Sequence, residues 1–421
     1  MPHRRFTQTL PSSPPGVFGR TASALEGRTI LQIVPRLEGG GAEQTTLDIA
    51  GALVDAGARA LVASEGGRLV ADLQTRGGIF LPYPAATKNP IAMMGAAGQL
   101  RRLIQGEGVD LVHVRSRAPA WVALRVCRTL GVPLVTTWHG AHSGQSAIKQ
   151  RYNSVMARGD VVIANSLWTA DLIRKTYPDA TPRIATIPRG IDLRRFAPGD
   201  VDPERVRRLR KTWNVAPEDR VVLVPARLAR RKGHLVVVEA ARRLAQKGLG
   251  NLVFVMAGDA GEHTAVRRDI ERAATSAGLA GQIRCTGFCD DMPAAYLAAA
   301  AVVVSSVEPE SFGRVAVEAQ AMGAPVLVTD LGAARETVLA PPETALAART
   351  GWRVKPGDAA ALADAIAEVL PLGAAAREAL AERARDHVAA KFSVERMGAA
   401  TLELYDRLLL HHAAVNAAQL G

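Results

Sequence analysis

The chain alternates short apolar runs with longer segments of helical periodicity, and the alternation begins near residue 28. The first series of candidate strands covers residues 29–35, 58–63, 78–82, 110–114, 133–137, 160–164 and 183–187. Most of the intervening segments repeat apolar residues every three or four positions, which predicts amphipathic helices, the first over 42–56. Strands this apolar are buried on both faces, as in a parallel sheet covered by helices. The pattern predicts a doubly wound α/β domain.

A second alternation of the same kind follows a segment rich in proline, glycine and aspartate at 196–204, which we interpret as an interdomain linker. Its candidate strands cover residues 221–225, 252–257, 282–286, 301–305 and 325–329. Its helices are predicted over residues 234–247, 264–277, 313–322 and 359–370. In open α/β sheets the ligand lies at the carboxyl ends of the strands, so two such halves predict a site in a cleft between them.

These patterns divide the chain into four segments. Residues 1–27 contain several prolines and no continuous apolar run, which predicts a disordered leader and not a secretory signal. Residues 28–197 are predicted to form an N-terminal Rossmann-like domain, and residues 198–385 a C-terminal one. Residues 386–415 are predicted to be a C-terminal helix that returns to the first domain.

Length and composition agree with this division. A chain of 421 residues is too long for one compact core, and no apolar run reaches the roughly 18 residues that span a bilayer. The three cysteines argue against a disulfide scaffold and for a reducing compartment. A zinc site is not expected, because Cys285 and Cys289 have neither a second cysteine pair nor a nearby histidine.

The net charge of +12 is the strongest bias in the composition. Such a charge attracts polyanions, which include nucleic acid, anionic membranes and phosphorylated substrates. The alternative is a solvated arginine-rich surface that reflects a GC-rich genome, since only eight of the 52 basic residues are lysines. We find no nucleic-acid recognition fold, so nucleic acid is not expected as a partner.

The most informative candidate site is the polar loop that follows the strand ending near Ser305. The loop carries Glu310, and a helix is predicted to begin near Gly313, where free N–H groups and the helix dipole favour an anion. Gly313 has no Cβ to keep a phosphate away from the backbone. Glu310 and Glu318 could accept hydrogen bonds from sugar hydroxyls. Alternatively, Glu310 merely favours the helix dipole and Glu318 is structural.

A basic loop, PARLARRKG at 225–233, follows the first strand of the second half. Its Arg227 and Lys232 lie where two cations could bind a diphosphate. Lys232 stands out in a chain that otherwise prefers arginine. The alternative is a solvated basic loop.

Two weaker candidates lie in the first half. The turn EGGGAEQ at 38–44 contains Gly40 and Gly41, which permit close approach of a ligand, but it matches neither the dinucleotide fingerprint nor the Walker A motif. His139 follows a predicted strand, although a lone histidine is more often structural. No nucleophile–base set and no carboxylate pair for a metal stands out, so we expect cationic side chains and amide N–H groups to stabilise developing charge.

In combination, Arg227, Lys232, Glu310 and Glu318 resemble the motif of glycosyltransferase family 4 (group 1), retaining enzymes of the GT-B fold, and the likeness covers about residues 29–415. Three further stretches are similar to family motifs: IPRGID at 187–192, GFCDDMP at 287–293 and EAQAMGAPV at 318–326. The resemblance implies two Rossmann-like domains that face each other across a cleft. It also implies a UDP- or GDP-linked sugar as donor, with no cofactor and no metal.

The resemblance implies a catalytic group of four residues. Glu310 would contact the hydroxyls of the donor sugar, Arg227 and Lys232 would neutralise the diphosphate, and His139 would lie near the donor sugar. The leaving phosphate oxygen would take the proton of the acceptor on the face of attack, so that no carboxylate nucleophile of the glycosidase kind is needed.

The resemblance implies nine further substrate-binding residues: Gly40, Gly41, Phe288, Cys289, Ser311, Phe312, Gly313, Arg314 and Glu318. The glycine turn would approach the phosphates, the 288–289 segment would lie against the base, the 312–314 backbone would hold the sugar and diphosphate, and Glu318 would bind the ribose. The chain departs from the family motif at two positions: Ser311 replaces the commoner glycine, and Arg189 replaces the commoner asparagine.

The acceptor implied by the resemblance is a glycan or a lipid-linked sugar, in cell-envelope polysaccharide or lipopolysaccharide synthesis. The protein would then be cytoplasmic, or peripheral at the inner face of the membrane. Six arginines of the first domain would attract anionic lipid: Arg101, Arg102, Arg115, Arg117, Arg125 and Arg128. Two other functions stay open, a sugar-nucleotide epimerase of the same fold and a non-catalytic subunit of a membrane glycosylation complex.

Overall fold

The computed structural model of the protein describes residues 25–140, 146–249, 251–259, 261 and 264–420. These residues divide into two compact units. Unit 1 comprises the described residues up to Gly190 and those from Val394 onwards, and unit 2 comprises Ile191–Ser393. Both are α/β units with one parallel sheet each, which confirms the predicted fold class.

Unit 1 contains seven parallel strands in the order β3-β2-β1-β4-β5-β6-β7. The strands are β1 (Thr29–Ile33), β2 (Arg59–Ser64), β3 (Ile79–Pro82), β4 (Leu111–Val114), β5 (Leu134–Trp138), β6 (Val161–Ala164) and β7 (Ile184–Thr186). The helices between them are α1 (Gly41–Asp55), α2 (Val70–Thr75), α3 (Pro90–Gly106), α4 (Arg117–Leu130), α5 (Ala147–Asn153) and α6 (Leu167–Thr176).

Unit 2 contains six parallel strands in the order β10-β9-β8-β11-β12-β13. The strands are β8 (Arg220–Val224), β9 (Leu252–Ala257), β10 (Ile283–Gly287), β11 (Ala299–Val304), β12 (Val326–Thr329) and β13 (Trp352–Val354). The helices are α7 (Pro203–Thr212), α8 (His234–Gln246), α9 (Thr264–Ser276), α10 (Met292–Ala298), α11 (Arg314–Ala321), α12 (Ala334–Thr337), α13 (Ala359–Val369) and α14 (Ala374–Lys391).

Each sheet has an apolar core on both of its faces, which explains the nearly continuous apolar runs of the strands. In β8, Val222 and Val224 belong to the core on one face, whereas Val221 and Leu223 belong to the core on the other. All four side chains are 1% exposed or less.

The strand order reverses once in each sheet, between β1 and β4 in unit 1 and between β8 and β11 in unit 2. In open α/β sheets such a switch point opens a crevice at the carboxyl ends of the two strands, because the following connections leave in opposite directions. The loops after β8 and β11 are the two that carry the strongest candidate residues.

The C-terminal helix α15 (Val394–Leu420) belongs to unit 1 and packs against α1. A Cβ built on Gly398 would lie 3.2 Å from the Cβ of Ala52, so a glycine lets the two helices approach closely. The predicted segment 386–415 therefore joins two elements, because the residues up to Lys391 belong to α14 of unit 2.

Two further predicted boundaries are wrong. Residues 1–24 of the predicted leader lie outside the described residues, but Leu25 is 1% exposed and packs in the core of unit 1, so the leader cannot extend to residue 27. The predicted linker at 196–204 is part of unit 2, since Phe196 and Val201 are buried in its core.

Within the described ranges, no single helix is long and apolar enough to cross a membrane. Helices α13 and α14, which are bent by 114° relative to each other, together meet the criteria of length and composition for a membrane span. Core helices of globular proteins meet the same criteria, and both helices contribute to the core of unit 2.

Candidate functional site

The basic loop after β8 leaves the sheet of unit 2 at its switch point. Arg227 is exposed at the start of the loop, whereas the side chain of Lys232 at its end is only 16% exposed. The backbone between them is held by the loop after β9, because the N–H of Leu228 donates to the carbonyl oxygen of Asp259 at 3.0 Å. The loop therefore presents its cations from a fixed backbone.

The loops after β8 and β11 are joined side by side. Ser305 Oγ donates to the carbonyl oxygen of Lys232 at 2.9 Å, and the N–H of Val307 donates to that of Arg231 at 2.9 Å. Gly233 has a φ of +68°, and a Cβ at this position would overlap the carbonyl oxygen of Ser305. Only glycine satisfies both conditions, so the glycine of the KG pair is a packing requirement of the switch point.

An ion pair crosses this junction. Lys232 Nζ donates to Glu310 Oε1 at 2.5 Å, and Ser306 Oγ donates to the same oxygen at 2.5 Å. Burial acts to raise the pKa of Glu310, but the charge of Lys232 and the two hydrogen bonds outweigh it and hold the pKa below its usual value. Glu310 is therefore ionised at neutral pH, and it fixes the direction of the Lys232 ammonium group.

The helix that follows begins with its N-terminus at this cluster. Gly313 caps α11 with a φ of +85°, and the preceding Phe312 is buried against Phe392, with ring centroids 5.4 Å apart. A small pocket lies here, and its polar lining includes Ser306, Glu310 and Thr337. The Phe312 side chain anchors the backbone that the sequence predicts to hold the sugar and diphosphate.

Glu318 lies one helical turn deeper and belongs to a second cluster. Tyr296 Oη donates to Glu318 Oε2 at 2.9 Å, and Arg314 Nη2 lies 3.1 Å from Oε1. Burial and the charge of Glu318 raise the pKa of Tyr296 well above its usual value, so the phenol stays protonated and donates. Both oxygens of Glu318 thus have protein partners, and its contact with a ribose stays a prediction.

The remaining predicted residues of unit 2 lie around this cluster or at the end of β10. Ser311 is 9% exposed in the loop before α11, and Phe288 is 64% exposed after β10. Burial raises the pKa of Cys289 to about 11, so its thiol is neutral and packs partly against the core.

His139 lies in unit 1, directly after β5, and is held by Arg189. Arg189 Nη2 donates to His139 Nδ1 at 2.6 Å and to the carbonyl oxygen of His139 at 3.3 Å. A neutral ring that accepts at Nδ1 carries its proton on Nε2. The arginine that departs from the family motif thus fixes the orientation and the tautomer of the predicted histidine.

The glycine turn caps α1, with Gly40 at the N-cap and Gly41 as the first helical residue. The N–H of Gly40 already donates to Glu43 Oε2, at 2.9 Å. Sequence reasoning did not find this carboxylate, although a glutamate three residues after an N-cap is the signal of a capping box.

Two of the six predicted lipid-binding arginines have other roles. Arg115 is 5% exposed and donates to Gln32 Oε1 at 2.6 Å, so its assignment to a membrane surface is wrong. Arg117 donates to Asn153 Oδ1 at 2.8 Å. The other four are exposed.

Sequence reasoning also missed Ser306 and Tyr296, which donate to the two carboxylates of unit 2. A hydroxyl at the end of an apolar strand was the available signal for Ser306. Tyr296 gave none, because it lies in an apolar helix that predicts only core. In the part of the chain that the structure describes, no group of three or more His, Cys, Asp or Glu residues is placed to hold a metal.

Two family models match the chain, one in each half. The model described as Glycosyltransferase Family 4 matches residues 39–195. The model described as Glycosyl transferases group 1 matches residues 206–387, which include every candidate residue of unit 2.

Similar proteins carry related descriptions. D-inositol 3-phosphate glycosyltransferase 1 of Catenulispora acidiphila is 32% identical over 249 residues, which are 55% of this chain and 58% of that relative, less than two thirds of its length. A solved glycosyltransferase of Rickettsia africae ESF-5 aligns with a TM-score of 0.82 and 31% identity, over 91% of this chain and 99% of that chain. Anabaena HepE in complex with UDP-glucose aligns with a TM-score of 0.76 over 90% of this chain and 99% of that chain, and at 23% identity this likeness shows the fold alone.

Proposed function

Because the chain belongs to the group 1, family 4 glycosyltransferases and has the GT-B fold, we propose that it transfers a sugar, with retention, from a nucleoside diphosphate sugar to an acceptor hydroxyl. The single observation that carries the proposal is the Lys232–Glu310 ion pair at the switch point of unit 2. It places a fixed cation beside the N-terminus of α11. Both features favour a diphosphate.

In the proposed reaction the bond between the anomeric carbon and the leaving phosphate oxygen breaks. The acceptor oxygen forms the new bond on the same face, and its proton passes to the leaving phosphate oxygen. Arg227 and Lys232 stabilise the negative charge that develops on the departing diphosphate, and no metal is required in this scheme. Loss of one such preorganised contact costs about 3 kcal/mol of transition-state stabilisation. NMR of the anomeric proton in the first-formed product tests retention.

For the donor we propose a UDP-linked sugar first and a GDP-linked sugar second, since the Anabaena structure is a complex with UDP-glucose. Glu310 contacts the sugar hydroxyls, and the segment around Phe288 lies against the base, where its exposed ring offers a stacking surface.

For the acceptor we propose a hydroxyl of a glycan or lipid-linked sugar in cell-envelope polysaccharide or lipopolysaccharide synthesis. An inositol phosphate is the second candidate, because the Catenulispora relative is named for that substrate.

The protein is proposed to act in the cytoplasm, at the inner face of the membrane. Support comes from the start of α3, where Ile91 and Met94 are 80% and 76% exposed and Lys88, Arg101 and Arg102 are exposed nearby in sequence.

The test is the thermal shift of the full-length protein with UDP, GDP, ADP and their common sugars. We expect one nucleotide to raise the melting temperature of the wild type and to lose most of this effect in Lys232→Ala, because a bound ligand stabilises the native state by mass action. Arg231→Ala is the matched control, since it removes a neighbouring cation but leaves the ion pair with Glu310. If no nucleotide stabilises the wild type, the donor site is refuted and a non-catalytic subunit becomes the better description.

A further inference from the structure

The two carboxylate oxygens of Glu310 have different surroundings. Oε1 accepts hydrogen bonds from Lys232 Nζ and Ser306 Oγ, both at 2.5 Å. Oε2 accepts none from the part of the chain that the structure describes. An ionised carboxylate has acceptor positions on both of its oxygens, so the ion pair uses only one side of the group. The other oxygen is left for a ligand.

Oε2 borders the space that the absent side chain of Gly313 leaves. A Cβ built on Gly313 would lie 3.9 Å from Glu310 Oε2 and 3.9 Å from Thr337 Oγ1. All three residues line the small pocket at the start of α11. The pocket volume of about 20 Å³ is enough for one water-sized group. A single hydroxyl group at this place would therefore lie between two side-chain oxygens.

The backbone holds these two oxygens in place. The carbonyl oxygen of Glu310 accepts from the N–H of Ala333 at 3.0 Å. Gly332 has a φ of +63°, and a Cβ at this position would overlap the same carbonyl oxygen. Thr337 is fixed to α11, because Nε2 of the buried Gln320 donates to its carbonyl oxygen at 2.7 Å. The opening between the two side chains is therefore part of the fold of unit 2.

The two oxygens complement each other as hydrogen-bonding partners. The ionised Glu310 only accepts. Thr337 is 1% exposed, and its hydroxyl donates only long hydrogen bonds, to the carbonyl oxygens of Ala333 at 3.3 Å and Ala334 at 3.5 Å, so it can turn to a ligand. A sugar hydroxyl both donates and accepts, which matches this pair. A phosphate does not match, because it would bring a second negative charge against Glu310.

We propose that Thr337 is a specificity-determining residue that binds one hydroxyl group of the donor sugar together with Glu310 Oε2. The hydroxyl donates to Oε2 and accepts from Thr337 Oγ1. The proposal rests on the proposed function, in which Glu310 contacts the sugar hydroxyls. It adds that one hydroxyl is selected, by a side chain outside the motif. Every residue concerned belongs to unit 2.

The experiment compares Thr337→Val and Thr337→Ser in the full-length protein. Valine has the shape of threonine but no hydroxyl, whereas serine keeps the hydroxyl and is the matched control. Calorimetry measures the binding of UDP, UDP-glucose and UDP-galactose, and of the deoxy analogues of whichever sugar nucleotide binds the wild type more tightly. GDP, GDP-mannose and GDP-glucose replace them if the wild type binds GDP. Urea unfolding of each variant reports on the fold.

We expect Thr337→Val to weaken binding of the sugar nucleotide about fivefold to tenfold, the equivalent of one hydrogen bond, while its affinity for UDP stays unchanged. Thr337→Ser should keep both affinities. The wild type should bind one deoxy analogue more weakly than the parent sugar nucleotide. Thr337→Val should discriminate less against that same analogue, because one of the two partners of the missing hydroxyl is already gone.

An unchanged ratio of the two affinities in Thr337→Val would overturn the proposal. So would an equal loss for UDP and the sugar nucleotide, since that result would indicate a structural role for the hydroxyl. Failure of the proposed function gives a different result. In that case the wild type binds neither UDP nor GDP, Lys232→Ala makes no difference, and both proposals fall together.

Discussion

Gly233→Ala tests whether the switch point of unit 2 is held together by close packing of two loops. Gly233 has a φ of +68°, and an added Cβ would overlap the carbonyl oxygen of Ser305 and lie 3.0 Å from its carbon. The matched control is Gly278→Ala in the same unit, because Gly278 has a φ of +71° and no atom within 4 Å of a built Cβ. The two variants share the backbone cost and differ only in the close approach.

The left-handed backbone costs about 1–2 kcal/mol in either variant. In Gly233→Ala the loops must also separate by roughly 1 Å to restore normal contact distances. That movement breaks the hydrogen bonds from Ser305 Oγ to Lys232 and from Val307 to Arg231, both 2.9 Å long. At about 1 kcal/mol for each bond, Gly233→Ala should lose about 2 kcal/mol more stability than Gly278→Ala.

Urea unfolding of the two variants and the wild type measures this difference, and the nucleotide thermal shift measures its effect on the site. We expect Gly233→Ala to lose the nucleotide-induced stabilisation, because Lys232 moves away from Glu310, and Gly278→Ala to keep it. If the two variants lose equal stability, the loops adjust without strain and the argument from Gly233 is refuted.

Two further outcomes are expected. Burial lowers the pKa of His234 from its ordinary value of 6.5 to about 4, so the unfolded chain binds the proton more tightly and stability falls as pH drops through this window. The wild type should therefore lose stability between about pH 7 and pH 5, and His234→Gln should lose about 2 kcal/mol less over the same range, measured by urea unfolding at both pH values. The remaining pH dependence includes the contributions of His113 and His387, whose pKa values are also lowered by burial. A pH dependence equal to that of the wild type would refute this prediction. The double variant Ile91→Gln, Met94→Gln should reduce co-sedimentation with vesicles that contain anionic lipid, and equal co-sedimentation would exclude this face from the membrane contact.

The strands could be predicted from the sequence because parallel strands buried on both faces are continuous apolar runs. All seven strands of unit 1 and five of the six in unit 2 coincide with predicted runs. The strand β13 was missed because Arg353 interrupts its three residues, WRV, so that no apolar run is left. Helix α7 was missed because residues 205–211 (RVRRLRK) are mostly charged, and the predicted linker at 196–204 covered only its first two residues. Its two apolar residues that pack against the core, Val206 and Leu209, are three positions apart, but two positions are too few to establish a helical period.

The composition of the site could be predicted, but its contacts could not. The motif indicated Lys232 and Glu310 separately, 78 positions apart in the sequence. Their meeting follows from strand order, because β8 and β11 are neighbours in the sheet. Periodicity identifies strands without giving their order in the sheet, so the ion pair could not be predicted from the sequence. The hydrogen bond from Arg189 to His139 could not be predicted either, because the sequence marks Arg189 only as a departure from a motif.

A carboxylate holds the cation proposed to meet phosphate in unit 2, because Glu310 fixes the ammonium group of Lys232. By charge alone Glu310 should oppose a diphosphate, since two like charges 4 Å apart repel by about 4 kcal/mol at an effective dielectric constant of 20. However, donors that are already held in place need no reorganisation when charge develops on the leaving group. In preorganised sites this effect is larger than the charge repulsion. A carboxylate that is unfavourable by charge beside a diphosphate is then what holds the cation in place before the substrate binds.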